Sequence, residues 1–212
     1  RGLGDVYKRQ RLLCTIEKPT RGGFSVDGTE IAGRALVNYR RRIGYVPQDV
    51  RFASTMTCRD ALAYAGWVAG LDRRAYLRRI PEVLEMIELP EIENSRVSNL
   101  SGGQTRRVGI AASLIHSPDI LFLDEPTAGL DPQARIEVRH LLNRLKDSAT
   151  IILSTHLQDD LEHVADNVVA LHNGRIAYEG EWNRLKAVSA DNFSSVSTDP
   201  LERALAYVAS KH

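Results

Sequence analysis

Ile120-Leu121-Phe122-Leu123-Asp124-Glu125-Pro126 is an unbroken apolar run closed by two adjacent carboxylates and a proline. An apolar run without alternation fits a strand covered on both faces, as in a parallel sheet. Thr150-Ile151-Ile152-Leu153 has the same character, and longer helical patterns separate such runs, so the chain reads as an α/β layered fold. Phe24 to Val26 followed by Asp27-Gly28, and Val168 to Leu171 joined through Asn173-Gly174 to Ile176–Tyr178, read as hairpins. Between Val50 and Pro118 helical spacing takes over, in Thr57–Val68, Ala75–Ile87 and Gly103–His116. This stretch is expected to form a helical subdomain inserted into the α/β core. Ala187 to Pro200, rich in Ser, Asp and Asn, reads as a linker, and Leu201–Ser210 as a last short helix.

The 212 residues are 43% hydrophobic, 26% charged and 6% aromatic, a profile that excludes a disordered or collagen-like chain. Lys and Arg number 28 against 27 Asp and Glu, a net charge of +1, so no nucleic-acid partner is expected from charge. The two cysteines, Cys14 and Cys58, lack metal-ligand spacing, which points away from zinc or a disulfide framework and toward a reducing compartment. The longest apolar run, Ala61–Leu71, holds 11 residues, whereas a bilayer span takes about 20.

Two segments carry candidate chemistry. A buried strand ending in Asp124 and Glu125 delivers two carboxylates to the carboxyl edge of the sheet, where α/β proteins bind ligands. The first suits a hard cation such as Mg²⁺ and the second the polarising of an attacking water; a solvated strand-end acidic pair is the alternative. Leu100-Ser101-Gly102-Gly103-Gln104 precedes a helical pattern. Its serine can cap the helix and its glycines allow a phosphate close to backbone N–H groups; taken alone, it reads equally as a flexible turn.

Together these segments resemble the nucleotide-binding subunit of ATP-binding cassette (ABC) transporters, over roughly Arg11 to Lys186. Gly44-Tyr45-Val46-Pro47-Gln48 resembles the family's Q-loop, Leu100 to Gln104 its signature motif and Leu121 to Glu125 its Walker B. Ala128-Gly129-Leu130-Asp131 resembles the D-loop and Ser154-Thr155-His156 the switch-histidine loop. The family order is kept. The implied fold is a P-loop NTPase-like parallel sheet core with an inserted helical subdomain and a small antiparallel β element.

The resemblance implies ATP and Mg²⁺ as cofactors. Glu125 would be the general base, Asp124 and Gln48 would hold Mg²⁺ or its water, and His156 would contact the γ-phosphate. Ser101, Gly102, Gly103 and Gln104 would contact ATP bound to a second subunit in a homo- or heterodimer, with Asp131 coupling the two sites. Asp131 also fits the cap of a helix opening at Pro132, Gln48 an ordinary loop residue, and a lone histidine a capping or core residue. A transmembrane permease would be the partner, docking at about Asp49 to Met56, with the subunit cytoplasmic on the inner face of the membrane. Arg40-Arg41-Arg42, Arg73-Arg74 and Arg78-Arg79 read as solvated faces. The 51 residues between Gln48 and Leu100 and the run Thr155 to Asp160 look most like exporter-type subunits. A soluble ABC ATPase acting on the ribosome or nucleic acid, and a non-catalytic ABC partner, are the alternatives.

The P-loop pattern G-x-x-x-x-G-K-[ST] is absent from the sequence. Its place falls immediately before Arg11, where residues 1–10 stand. These are expected to be a foreign leader left by cloning or assembly on a truncated gene, with the chain inactive as it stands; a natural protein that lost its P-loop is the alternative. They carry three basic residues and one acidic, so the remainder has a net charge of −1. The expected organisation is then 11–48 as a partial α/β core, 49–118 as the helical subdomain, 119–186 as the rest of the core and 187–212 as linker and terminal helix.

Overall fold

The computed structural model describes residues 3–193, 197–198 and 200–210. They divide into two compact units, Gln10–Ser154 and, separately, Thr155 onward with the residues before Gln10. The first helix, α1, spans Leu3–Leu13.

In the Gln10–Ser154 unit a two-residue hairpin, β1 (Ser25–Val26) and β2 (Thr29–Glu30), leads to α2 (Gly33–Arg42) and β3 (Ile43–Val46). Helices α3 (Cys58–Val68), α4 (Arg73–Met86) and α5 (Gly102–Leu114) follow, then β4 (Ile120–Asp124), α6 (Pro132–Leu145) and β5 (Thr150–Ser154). Strands β3, β4 and β5 form a parallel sheet in that order, with Val46 beside Leu123 and Asp124 beside Ser154. The central strand β4 is sealed on both faces, its Leu121, Phe122 and Leu123 being buried, which is why its sequence shows no alternation. On one side Phe122 packs with Cys14, Tyr39 and Ile43, and the Phe24 ring meets Tyr39 edge-on at 5.7 Å.

The helical segment owes its boundaries to caps. Thr57 and Asp60 form a reciprocal capping box at α3, Asp72 accepts from the Ala75 amide at α4, and Ser101 and Gln104 form a second box at α5. Leu62 of α3, Ile80 and Leu84 of α4 and Ile110 of α5 are fully buried. Helix α2 has no counterpart in the sequence reading. Its terminal Arg42 is paired with Asp27 and Asp119 at 3.0 and 2.7 Å across exposed surface, where such pairs contribute little.

In the second unit α7 (Gln158–His163) precedes β6 (Asn167–His172), β7 (Arg175–Glu181), α8 (Trp182–Phe193) and α9 (Pro200–Ser210). The β6–β7 turn places Asn173 and Gly174 at φ 49° and 74°, the left-handed geometry that a two-residue hairpin demands and that Asn-Gly supplies. Trp182, Leu185, Ala204 and Val208 form the core of the unit, against Val168, Ala170 and Ala177.

One expectation is corrected. Ala187–Phe193 is not a linker but the second half of α8. Trp182, Leu185 and Ser189 recur at helical spacing on its buried face, and the Ser189 hydroxyl donates to the Lys186 carbonyl at 2.9 Å. Polar composition concealed that a buried serine can satisfy itself on the preceding turn. Residues 194–196 and 199 of the expected linker lie outside the described residues. The boundary expected between residues 10 and 11 falls inside a helix, α1, which runs from Leu3 to Leu13.

Candidate functional site

The end of β4 delivers Asp124 and Glu125, 3% and 7% exposed. Asp124 Oδ1 accepts a hydrogen bond from Ser154 Oγ at 2.7 Å, across the β4–β5 pair. The Glu125 amide donates to the Ser154 carbonyl at 3.0 Å. Glu125 itself has φ 47°, a left-handed conformation that costs a non-glycine residue about 1–2 kcal/mol.

The segment after Glu125 turns at once into α6. Asp131 Oδ1 accepts from the Ala134 amide at 3.0 Å, Pro132 occupies the first helical position, and Arg135 Nε donates to the Leu130 carbonyl at 2.9 Å. The capping reading of Asp131 therefore holds.

At the N-terminus of α5 the Gln104 amide donates to Ser101 Oγ at 3.2 Å, and Gln104 Oε1 accepts from the Ser101 amide at 3.0 Å. Ser101 and Gly102 are exposed, with the positive end of the helix dipole behind them. Gly103 has a different task. It is buried, and a Cβ there would stand 2.7 Å from the Ala134 Cβ, so this glycine lets α5 approach α6.

Gln48 is exposed beyond β3, and its backbone is held by a residue the sequence reading passed over. Arg106, 7% exposed, donates Nη1 to the Pro47 carbonyl at 2.8 Å and Nη2 to the Gln48 carbonyl at 2.5 Å. Burial pushes its guanidinium pKa down, and Asp49 and Asp124 oppose that shift. Gln48, Gly102, Thr105, Arg106, Gly129 and Leu130 border one cavity of about 470 Å³. Stretches far apart in the chain, around Gln48, Gly102 and Gly129, thus border one cavity.

A larger groove, about 690 Å³, opens beside it between the 47–56 loop, α3 and α5, with Val50, Phe52, Met56, Tyr64 and Val68 among its walls. Tyr64, Trp67 and Val68 leave more than half their surface exposed on α3. His116 borders this groove. Its Nε2 contacts the Ile43 carbonyl at 3.0 Å, and burial pushes its pKa below the ordinary value.

Gln10, placed by the sequence reading in the leader, belongs to the core. Its Nε2 donates to the Leu123 carbonyl at 2.9 Å, and its buried Oε1 has no hydrogen-bond partner among the described residues. In the second unit His156 is exposed on the turn before α7. That turn is tied by Thr155 Oγ1 donating to Asp160 Oδ2 at 2.9 Å and accepting from the Leu157 amide at 3.0 Å. Asp160 is 1% exposed.

Asp124 and Gln48, which the resemblance assigns to Mg²⁺, both offer oxygen donors, the kind a hard cation takes. Among the described residues no group of three or more His, Cys, Asp or Glu side chains could by itself hold a metal ion. Such a set fits a cation that keeps several waters and shares phosphate oxygens, as Mg²⁺ does. Among the described residues no helix is long and apolar enough to cross a membrane.

The family model described as "ABC transporter" matches residues 10–128. An uncharacterized ABC transporter ATP-binding protein, YxlF, of Bacillus subtilis (strain 168) is 37% identical over 196 residues, covering 92% of this chain and 64% of that protein. The methionine import ATP-binding protein MetN of the same strain is 35% identical over 176 residues, covering 81% and 52%. The Nod factor export ATP-binding protein I of Neorhizobium galegae is 37% identical over 171 residues, covering 80% and 49%. The chain thus spans about half to two thirds of the length of these relatives. A solved structure, "Structure of ATP binding subunit of ABC transporter", superposes with a TM-score of 0.75 at 27% identity, covering 99% of this chain and 85% of that one. The chain therefore belongs to the ABC transporter family and has the fold of its ATP-binding subunits.

Proposed function

We propose that this chain is the nucleotide-binding part of an ABC transporter, which couples ATP binding and hydrolysis to movement of a substrate through a separate permease. The convergence of Gln48, Gly102 and Ala128–Leu130 on one cavity carries the reading. Ser101 and Gly102, exposed at the positive end of α5, meet the phosphates of ATP held by a second such subunit, and Asp131 lies at the junction of the two. Glu125 orients and deprotonates the attacking water. Asp124, held by Ser154, and Gln48 hold Mg²⁺, which when bound neutralises phosphate charge. His156 donates a hydrogen bond to the γ-phosphate.

The apolar groove beside the 47–56 loop receives a segment of the permease, which places the subunit at the cytoplasmic face of the membrane. The relatives named above include both import and export proteins. The short Gln48–Leu100 span and the Thr155–Asp160 run support an exporter.

The P-loop supplies most of the phosphate contacts in this chemistry, and the sequence contains none. The 212-residue chain is therefore expected to bind ATP weakly and to release no phosphate. In this reading 11–48 and 119–186 form the α/β core around the 49–118 helical subdomain, with 187–212 following it. Nucleotide titration and a phosphate-release assay test it: turnover that vanishes in Glu125→Gln would refute the inactivity and leave the family roles standing. A second reading, a chain that only lends its signature face to a partner's ATP, is favoured by exposed Ser101 and Gly102. Stimulation of a complete partner subunit by the Glu125→Gln chain, equal to that by the unmodified chain, would select it.

A further inference from the structure

Arg106 sits in the second turn of α5, almost wholly buried, and directs two donors at the successive carbonyls of Pro47 and Gln48. A buried cation is expensive to hold, and an apolar side chain of similar length would fill the space. What the guanidinium adds is geometry: a rigid planar fork that fixes two acceptors at once. One helical step later, on the same face, Gly109 repeats the contact by packing. A Cβ at Gly109 would lie 2.7 and 2.8 Å from the two γ-carbons of Val50. The loop from Pro47 to Val50 is thus hydrogen-bonded at one end and close-packed at the other against the helix that starts at Ser101–Gly102.

We propose that Arg106 is a positioning residue for Gln48: it fastens the loop backbone to the signature helix, so that Gln48 follows that helix rather than the strand it leaves. Its meaning for the reaction rests on the function proposed above; the clamp itself does not. A shift of the α5 N-terminus reaches Gln48 through Arg106, without passing along residues 49–56. The same contact braces the loop wall of the apolar groove, since Pro47, Val50 and Arg51 line it.

Backbone ¹⁵N relaxation on the full chain, without nucleotide, tests the clamp. Rigid backbone gives order parameters of about 0.85 and flexible loops below about 0.6. In the unmodified chain residues 48–51 should stand near the first value. In Arg106→Met, which keeps bulk and removes both bonds, they should fall below the second while residues 107–113 and β4 keep theirs. Arg106→Lys, with a charge and a single donor group, should recover part of the order. Unchanged order at 48–51 in Arg106→Met overturns the proposal, and so does an equal loss across α5 and β4, which would make Arg106 a general fold residue. If Arg106→Met does not fold, Arg106→Lys decides alone. Loosening confined to 48–51 supports the clamp, and undiminished order or a chain-wide loss refutes it. With no nucleotide present, failure of the ATP reading would leave these values unmoved.

Discussion

Gly103→Ala separates packing from ligand binding at the signature segment. The added methyl would stand 2.7 Å from the Ala134 Cβ, against about 3.5–4.0 Å for an ordinary carbon contact. Helices α5 and α6 must part by roughly 1 Å or deform, and overpacking of this kind costs about 1–3 kcal/mol. Opposing it, replacing glycine by alanine in a helix gains at most about 1 kcal/mol, and less so near an end. The net expectation is a loss of about 1–2 kcal/mol, read as a lower urea midpoint at unchanged slope. Ala134→Gly alone should lose about 1 kcal/mol of helix propensity. In the double variant the clash disappears, so the two effects should fail to add by about 1–3 kcal/mol in the favourable direction. A stabilised Gly103→Ala chain, or strict additivity in the cycle, would refute the close-packing account. The glycine would then have to be explained by what binds there.

Ser154→Ala removes the hydroxyl that donates to the buried Asp124 carboxylate; a hydrogen bond to a charged group contributes about 1.5–3 kcal/mol, and a urea midpoint lowered by that amount checks it. His116 titrates below its ordinary value because it is buried, so the unfolded chain takes up its proton first as pH falls. Stability should therefore decline from about pH 6.5 downward, toward the depressed folded pKa, and the decline should be shallower in His116→Gln when midpoints are compared between pH 7.5 and 5.5. Cys14 is pushed up to about 12 by burial and by the nearby Asp124 charge, and Cys58 is pushed up by burial. Neither thiol should react with a disulfide reagent in the native chain, and both should react in urea.

What could be read from sequence was local. The β4 run, the Asn173-Gly174 turn and the caps at Ser101 and Asp131 each depend on residues within a few positions, and each stands in the structure as read; β5 forms a strand where read, but as the outer strand of its sheet it is not covered on both faces, Ile152 being 39% exposed. The contacts that tighten the site join residues far apart in the chain. Arg106 reaches back 58 residues to Gln48, Ser154 reaches 30 to Asp124, and Gln10 reaches 113 to Leu123. Periodicity carries no trace of these. Arg106 stands beside Arg107 in a helix otherwise read for its signature, and nothing in an Arg-Arg pair says which one is buried. Helix α8 failed for a related reason: composition registers Ser189 as polar, whereas its hydroxyl is satisfied within the helix and the residue is buried. The roles expected of Gln48 and His156 came from motif order, which no local rule supplies, whereas that of Glu125 was also suggested by its place at a strand end.

The left-handed backbone at Glu125 sets two selection pressures against each other. A library at this position screened for heat resistance alone should enrich glycine and asparagine, which accept φ near 47° with little strain. A library screened for transport by the complete system should return glutamate. On the role proposed for Glu125, position 125 is thus one where a consensus drawn from stabilised variants and one drawn from working transporters would diverge, and that divergence would measure how much stability a carboxylate there costs.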